Sequence, residues 1–157
     1  MKKFEERLNK VLEVFLVILM SVLVVDVLWQ VFSRYLLSSP SSFTDELAGY
    51  LLIWVGVLGA AYVAGRKEHL AIDILVQKSP PARKRMMLII IHSLILLFAL
   101  SVMVIGGTVL VYTRFVLLVK SAALQLPLGY VYSVLPISGL IIIYYEVLHI
   151  LKLINSK

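Results

Sequence analysis

The sequence predicts an all-α integral membrane protein: four transmembrane helices, with short amphipathic interfacial helices beside them. Three observations carry that reading. Hydrophobic residues make up 61% of the 157 and charged residues only 15%, with a mean hydropathy of +0.99. A soluble domain of this length would need far more polar surface. Four long apolar runs follow one another, and at ~1.5 Å per helical residue each is long enough to cross the ~30 Å hydrocarbon core of a bilayer. Lys and Arg collect at alternate ends of these runs, the asymmetry that orients a chain in a membrane.

The chain opens on a mixed-charge lead (Lys2, Lys3, Glu5, Glu6, Arg7, Lys10). Its apolar positions Phe4, Leu8, Val11 and Leu12 follow helical spacing, which predicts a segment lying in the interface before the membrane is entered. The first span, 11–32, carries Asp26 inside it. Residues 38–42 form a turn, because Pro40 disfavours helix at Ser39, and Ser42 with Asp45 has the spacing of a capping box. The second span is 43–65. No charged residue or histidine interrupts it from Leu47 to Gly65. Asp45 and Glu46 stand at its start and Arg66 and Lys67 at its end, as the helix dipole favours. Gly56 and Ala60 form a small-xxx-small pair, which lets another helix approach closely.

Residues 66–85 form the main polar loop, with six Lys or Arg against two acids. Ser79-Pro80-Pro81 reads as a cap followed by proline at a helix start. The third span, 86–113, would be ~42 Å long as a straight helix, so a strong tilt or a protruding end is expected. Within it Gly106-Gly107 marks a bend or a close helix contact. Pro127 and Gly129 open the last span, 127–151, and Pro136 should kink it. The bases flanking the first and last spans and those of the 66–85 loop outnumber Arg34, Arg114 and Lys120 in the other two loops. This places both chain ends and the 66–85 loop in the cytoplasm. The whole, 1–157, reads as a single membrane domain with no appended soluble module.

Several function classes fall away. Cysteine is absent, which excludes a disulfide framework, a thiolate metal site and a cysteine nucleophile. The first apolar run is too long for the core of a signal peptide and lacks a small-x-small cleavage site, so none is expected. The net charge of +6 lies just outside the apolar runs. It therefore reads as a set of topology determinants near anionic headgroups, with no nucleic-acid partner. No phosphate loop, nucleophile elbow or carboxylate pair argues for an enzyme, and no metal or cofactor is expected. Asp26 reads either as a proton site or as an outer-end carboxylate bonded to Gln30 or to a neighbouring helix. His92 and His149 could ligate a haem iron as in respiratory membrane anchors; otherwise Glu146 and His149 form an (i, i+3) polar pair at a helix end. His69 and Asp73 share one face at (i, i+4), but two ligands do not make a metal site.

One ordered set of residues carries more than spacing can: Arg34-Tyr35, Thr44-Asp45-Glu46-Leu47-Ala48, Ile53-Trp54, Leu58-Gly59-Ala60 and His69-Leu70-Ala71-Ile72-Asp73. It resembles the small membrane subunit of tripartite ATP-independent periplasmic (TRAP) transporters, the DctQ-like family. Two positions depart from that pattern: Phe43 where Trp is common, and Gly49 where a basic residue often follows the acids. The resemblance implies a hetero-oligomeric symporter of the bacterial inner membrane. A periplasmic substrate-binding protein would deliver an organic acid, of the dicarboxylate or sialic acid class. A large membrane subunit would carry it inward by an elevator motion, with sodium coupling in that subunit. The small subunit would brace the large one's fixed scaffold. Arg34, Asp45, Glu46, Trp54, Gly56, Ala60, Arg66, His69 and Asp73 would then serve subunit packing or local structure. The alternatives are a self-contained proton-coupled transporter using Asp26, and a haem-binding anchor.

Overall fold

The computed structural model describes residues 2–37, 41–66 and 81–155. Helix α1 runs Lys2–Tyr35 and α2 runs Ser42–Arg66. Helix α3, Pro81–Phe98, passes without a break through a π-helical segment, Ala99–Gly106, into α4, Gly107–Val116. A short α5, Leu128–Tyr132, precedes the long α6, Val134–Asn155. Four helical stretches are long and apolar enough to cross a membrane: Lys3–Tyr35, Ser42–Arg66, Arg83–Val116 and Leu128–Asn155. Among the described residues the one β pairing is an isolated bridge between Lys120 and Pro127.

The amphipathic lead is continuous with α1; Phe4, Leu8 and Leu12 turn toward α6, while Val11 is exposed. Leu12 is buried beside Tyr145, Leu8 packs on the same cluster, and the Phe4 ring meets Tyr144 edge-on at 5.6 Å. The Tyr145 hydroxyl donates to Asn9 Oδ1 at 2.6 Å, and Lys152 reaches Glu5 at 3.0 Å. Gly65 makes this corner possible. A Cβ there would stand 2.6 Å from Asn9 Oδ1 and 2.7 Å from the Tyr145 ring.

Helix α2 starts differently from the capping box the sequence suggests. Ser41 is the cap: its carbonyl accepts from the Asp45 amide at 3.3 Å and from Thr44 Oγ1 at 3.0 Å. Ser42 is thus already inside the helix, and the Asp45 carboxylate turns to Arg34 instead.

Helix α6 is the hub. Its span is 44% buried, against 6% for the third. Small residues let the two cross closely: a Cβ on Gly139 would come within 2.8 Å of Met103 Cβ, and one on Gly107 within 3.1 Å of Leu135 and Pro136. The Gly106-Gly107 pair therefore marks a close contact, made by Gly107. The π segment beside it was not legible, because ALSVMVIG is apolar almost throughout and no residue type signals it. The Gly107 amide reaches back five residues to the Val102 carbonyl, which is the π register. Pro136 lies in the first turn of α6, and the helix break falls at Ser133, between α5 and α6. Proline clashes with the carbonyl four residues back, here that of Tyr132, the last residue of α5. One core cluster joins Ala61, Ala64, Ala99, Met103 and Ile142; the other joins Leu12, Leu58, Val134 and Tyr145.

Candidate functional site

Three of the residues singled out by the sequence, Arg34, Asp45 and Glu46, gather at the end of the bundle where α1 passes to α2. Arg34 Nη2 lies 3.7 Å from Asp45 Oδ1, with both side chains about half exposed. An exposed pair at that distance adds little stability but fixes the turn's geometry. Glu46 does more. Its carboxylate accepts from the backbone amides of Ala122 (2.8 Å), Ala123 (3.0 Å) and Leu124 (2.9 Å). Three consecutive amides pointing at one anion form a nest, and this nest closes the loop between α4 and α5. The same loop is held by Ser121 N to the Leu126 carbonyl and by Leu128 N to the Val119 carbonyl. It carries two left-handed residues, Leu118 (φ 49°) and Gln125 (φ 54°). Trp54 stands two turns deeper and donates its indole N–H to the Val131 carbonyl at 3.0 Å. Glu46 and Trp54 thus fasten α2 to the last span.

Gly56 and Ala60 pack closely against no helix among the described residues. Both are exposed, and a Cβ on Gly56 would meet nothing within 4 Å. They line an open groove of about 670 Å³ between α2 and the third span, walled by Ala64, Phe98, Val102 and Gly106 with Ile142 as floor. Every residue lining the groove is apolar. Close approach within the chain is made by Gly65, Gly107 and Gly139 instead. Arg66 lies over the Tyr62 ring, 5.4 Å from its centroid. His69 and Asp73 lie outside the described residues.

Asp26 is buried, and its Oδ2 has no hydrogen-bond partner among the described residues. The hydrogen bond to Gln30 is therefore not how it is satisfied. It lines a lateral pocket of about 490 Å³ with Ser21, Val25, Trp29, Thr44 and Leu47.

At the opposite end the structure joins the two pairs that the sequence suggested, His92 with His149 and Glu146 with His149, into one cluster. His92 Nδ1 on α3 is 2.5 Å from Glu146 Oε2 on α6, and the His92 and His149 rings are 5.2 Å apart, tilted by 57°. Glu146 is fully buried and His149 nearly so. The (i, i+3) spacing of Glu146 and His149 and the facing of His92 and His149 were legible; the bond of His92 to Glu146 was not. Two rings this close, one already bonded to a carboxylate, are nearer than axial imidazoles on opposite faces of an iron can stand. The geometry therefore disfavours the haem reading.

A family model described as the DctQ component of tripartite ATP-independent periplasmic transporters matches residues 23–156. A Haemophilus influenzae chain described as a TRAP transporter small permease protein is 32% identical over 81 residues, covering 52% of this chain and 50% of the relative. The sialic acid TRAP transporter small permease protein SiaQ of Vibrio cholerae is 29% identical over 111 residues, covering 71% and 60%. A stretch of 51 residues is 37% identical to the sialic acid TRAP transporter permease protein SiaT of Haemophilus influenzae, of which it covers 8%. The chain thus spans half to three-fifths of the length of the first two relatives.

Proposed function

Because the chain belongs to the DctQ component family of TRAP transporters, a family of multi-pass transporter components, we propose that it braces the large membrane subunit of such a transporter. In this reading the large subunit performs sodium-driven uptake of an organic acid handed over by a periplasmic binding protein. The names of two relatives refer to sialic acid, which favours that class over dicarboxylates. The membrane in this reading is the bacterial inner membrane, and the Lys and Arg distribution supports a cytoplasmic position for the basic end of the bundle.

The groove between α2 and the third span is the observation that carries the brace. An organic acid needs cationic or N–H donors at its carboxylate, and the groove offers only apolar side chains. It therefore suits a helix and not the substrate. Without a hydrophobic driving force inside lipid, helices associate through close packing at small residues. Gly56, Ala60 and Ala64 supply such a surface, and nothing among the described residues fills it. A permanent partner is the large subunit's scaffold, against which its transport domain slides.

Two crosslinks test this in reconstituted vesicles, one from an Ala60→Cys side chain to the scaffold and one to the transport domain. The scaffold crosslink should form readily and leave sodium-driven uptake largely intact. Uptake stopped by that crosslink, with binding-protein docking preserved, would show that the small subunit moves, and the brace would be wrong.

A further inference from the structure

We propose that His92, Glu146 and His149 form a binding site for a divalent transition metal of the zinc class, clamping the third span to α6. The inference is independent of the role in transport. Glu146 and His149 stand one turn apart on α6 and share a face, and α3 brings His92 against them. One donor atom from each of the three lies within 4.8 Å of the others. The side chains are 14% exposed for His92 and 0% for Glu146, and His149 is 4% exposed.

Charge is the first argument. With neutral imidazoles and an ionised Glu146 the cluster carries one negative charge in a fully buried position, and such a charge is either removed by a proton or balanced by a cation. The neighbouring bases are committed elsewhere: Arg85 donates to the Ile154 carbonyl at 2.9 Å and Lys152 to Glu5 at 3.0 Å. Among the described residues, His92 is the one group in ion-pair contact with Glu146. A proton on His92 would neutralise the pair, but Glu146 Oε1 would stay buried without a hydrogen-bond partner. A metal ion uses all three groups at once.

Donor chemistry is the second argument. Two imidazoles and one carboxylate are the His₂Glu set that binds zinc with a fourth position open. Glu-x-x-His on one bundle helix, completed by a residue from a facing helix, also recurs in metal sites of helical bundles. Imidazole nitrogen selects zinc, copper, iron or nickel, whereas magnesium and calcium need more oxygen donors than this cluster holds. Donors around tetrahedral zinc at ~2.0–2.1 Å from the ion stand roughly 3.3 Å apart. His92 Nδ1 and Glu146 Oε2, at 2.5 Å, would move apart to that separation, and the donors that stand up to 4.8 Å apart would close to it. Such a clamp also has a task here, since the third span is the least buried of the four.

The experiment uses the full chain, purified in detergent on a tag without histidines, stripped with chelator and then dialysed against micromolar zinc chloride. Elemental analysis should find about one zinc per chain, the stoichiometry of a mononuclear site. Cobalt(II) in place of zinc should give visible d–d bands of a four-coordinate nitrogen and oxygen site. Zinc should raise the melting temperature of the wild type, as a ligand specific to the folded state must. His92→Gln, Glu146→Gln and His149→Gln should each abolish the zinc, the cobalt bands and the thermal shift. The wild-type stoichiometry and cobalt spectrum decide the matter even if a variant fails to fold. Negligible zinc on the wild type would overturn the site and leave a metal-free His–Glu hydrogen bond. Zinc retained equally by all three variants would overturn it too, because the ion would then sit elsewhere.

Discussion

Glu46 is a side chain whose work depends on having two acceptor oxygens. Both receive amides of residues 122–124, Oε2 taking two and Oε1 one. Glutamine offers a single acceptor oxygen and a repelling NH₂. Glu46→Gln should therefore speed hydrogen–deuterium exchange at Ala122, Ala123 and Leu124, and Glu46→Ala should speed it further. Unchanged exchange would show that the loop's own hydrogen bonds hold it. Asp26 poses the opposite case, a buried carboxylate with one oxygen unpartnered. A carboxylate deep in a span costs about 2.5–3.5 kcal/mol on insertion scales, and an amide costs less. Asp26→Asn should raise the melting temperature of the isolated chain and leave uptake by the assembled transporter largely intact. Uptake abolished with assembly preserved would instead identify Asp26 as a proton carrier.

Among the elements, the glycines divide into two kinds that composition alone does not separate. Gly139 sits where α6 crosses the third span, with the Val104 backbone nitrogen 3.3 Å from where its Cβ would be. Gly139→Ala forces these elements apart and should cost about 1–3 kcal/mol, as overpacking does. Gly56→Ala meets no atom within 4 Å and should stabilise the isolated chain by up to about 1 kcal/mol through helix propensity. Denaturation of the two variants in the same detergent reads the contrast. A shared sign would mean that the groove at Gly56 is closed in solution. Gly56 and Gly106-Gly107 stood out in the sequence as packing positions, and Gly139 did not. Whether a given glycine faces a neighbour depends on helix rotation and crossing point, which spacing along one helix does not fix.

For the whole molecule, the bases gather where α1 and α3 begin and α2 and α6 end, and the Glu46-bound loop lies at the other end. Orientation in the bilayer follows from that imbalance. The chain has no cysteine, so single replacements report cleanly. Ala122→Cys in the loop and Asn155→Cys at the end of α6 are both exposed positions. An impermeant thiol reagent added to intact cells should label the first and spare the second. The reverse pattern would invert the topology.

By itself the sequence determined the four helices, the polar ends that bound them and the apolar surface between. These follow from local physics: a bilayer of fixed thickness and the need to satisfy every backbone polar group within a span. It also supplied the acids at the start of α2 and the ordered residues that marked the family. The tertiary structure alone decided what those residues hold. Glu46 finds amides 76 to 78 positions away, and Glu146 finds an imidazole 54 positions away on another helix. Hydropathy carries no information about such pairings, because nearly every face of every span is apolar. In this chain close approach at Gly65, Gly107 and Gly139 sets how the helices meet, and so which of the few polar groups come together.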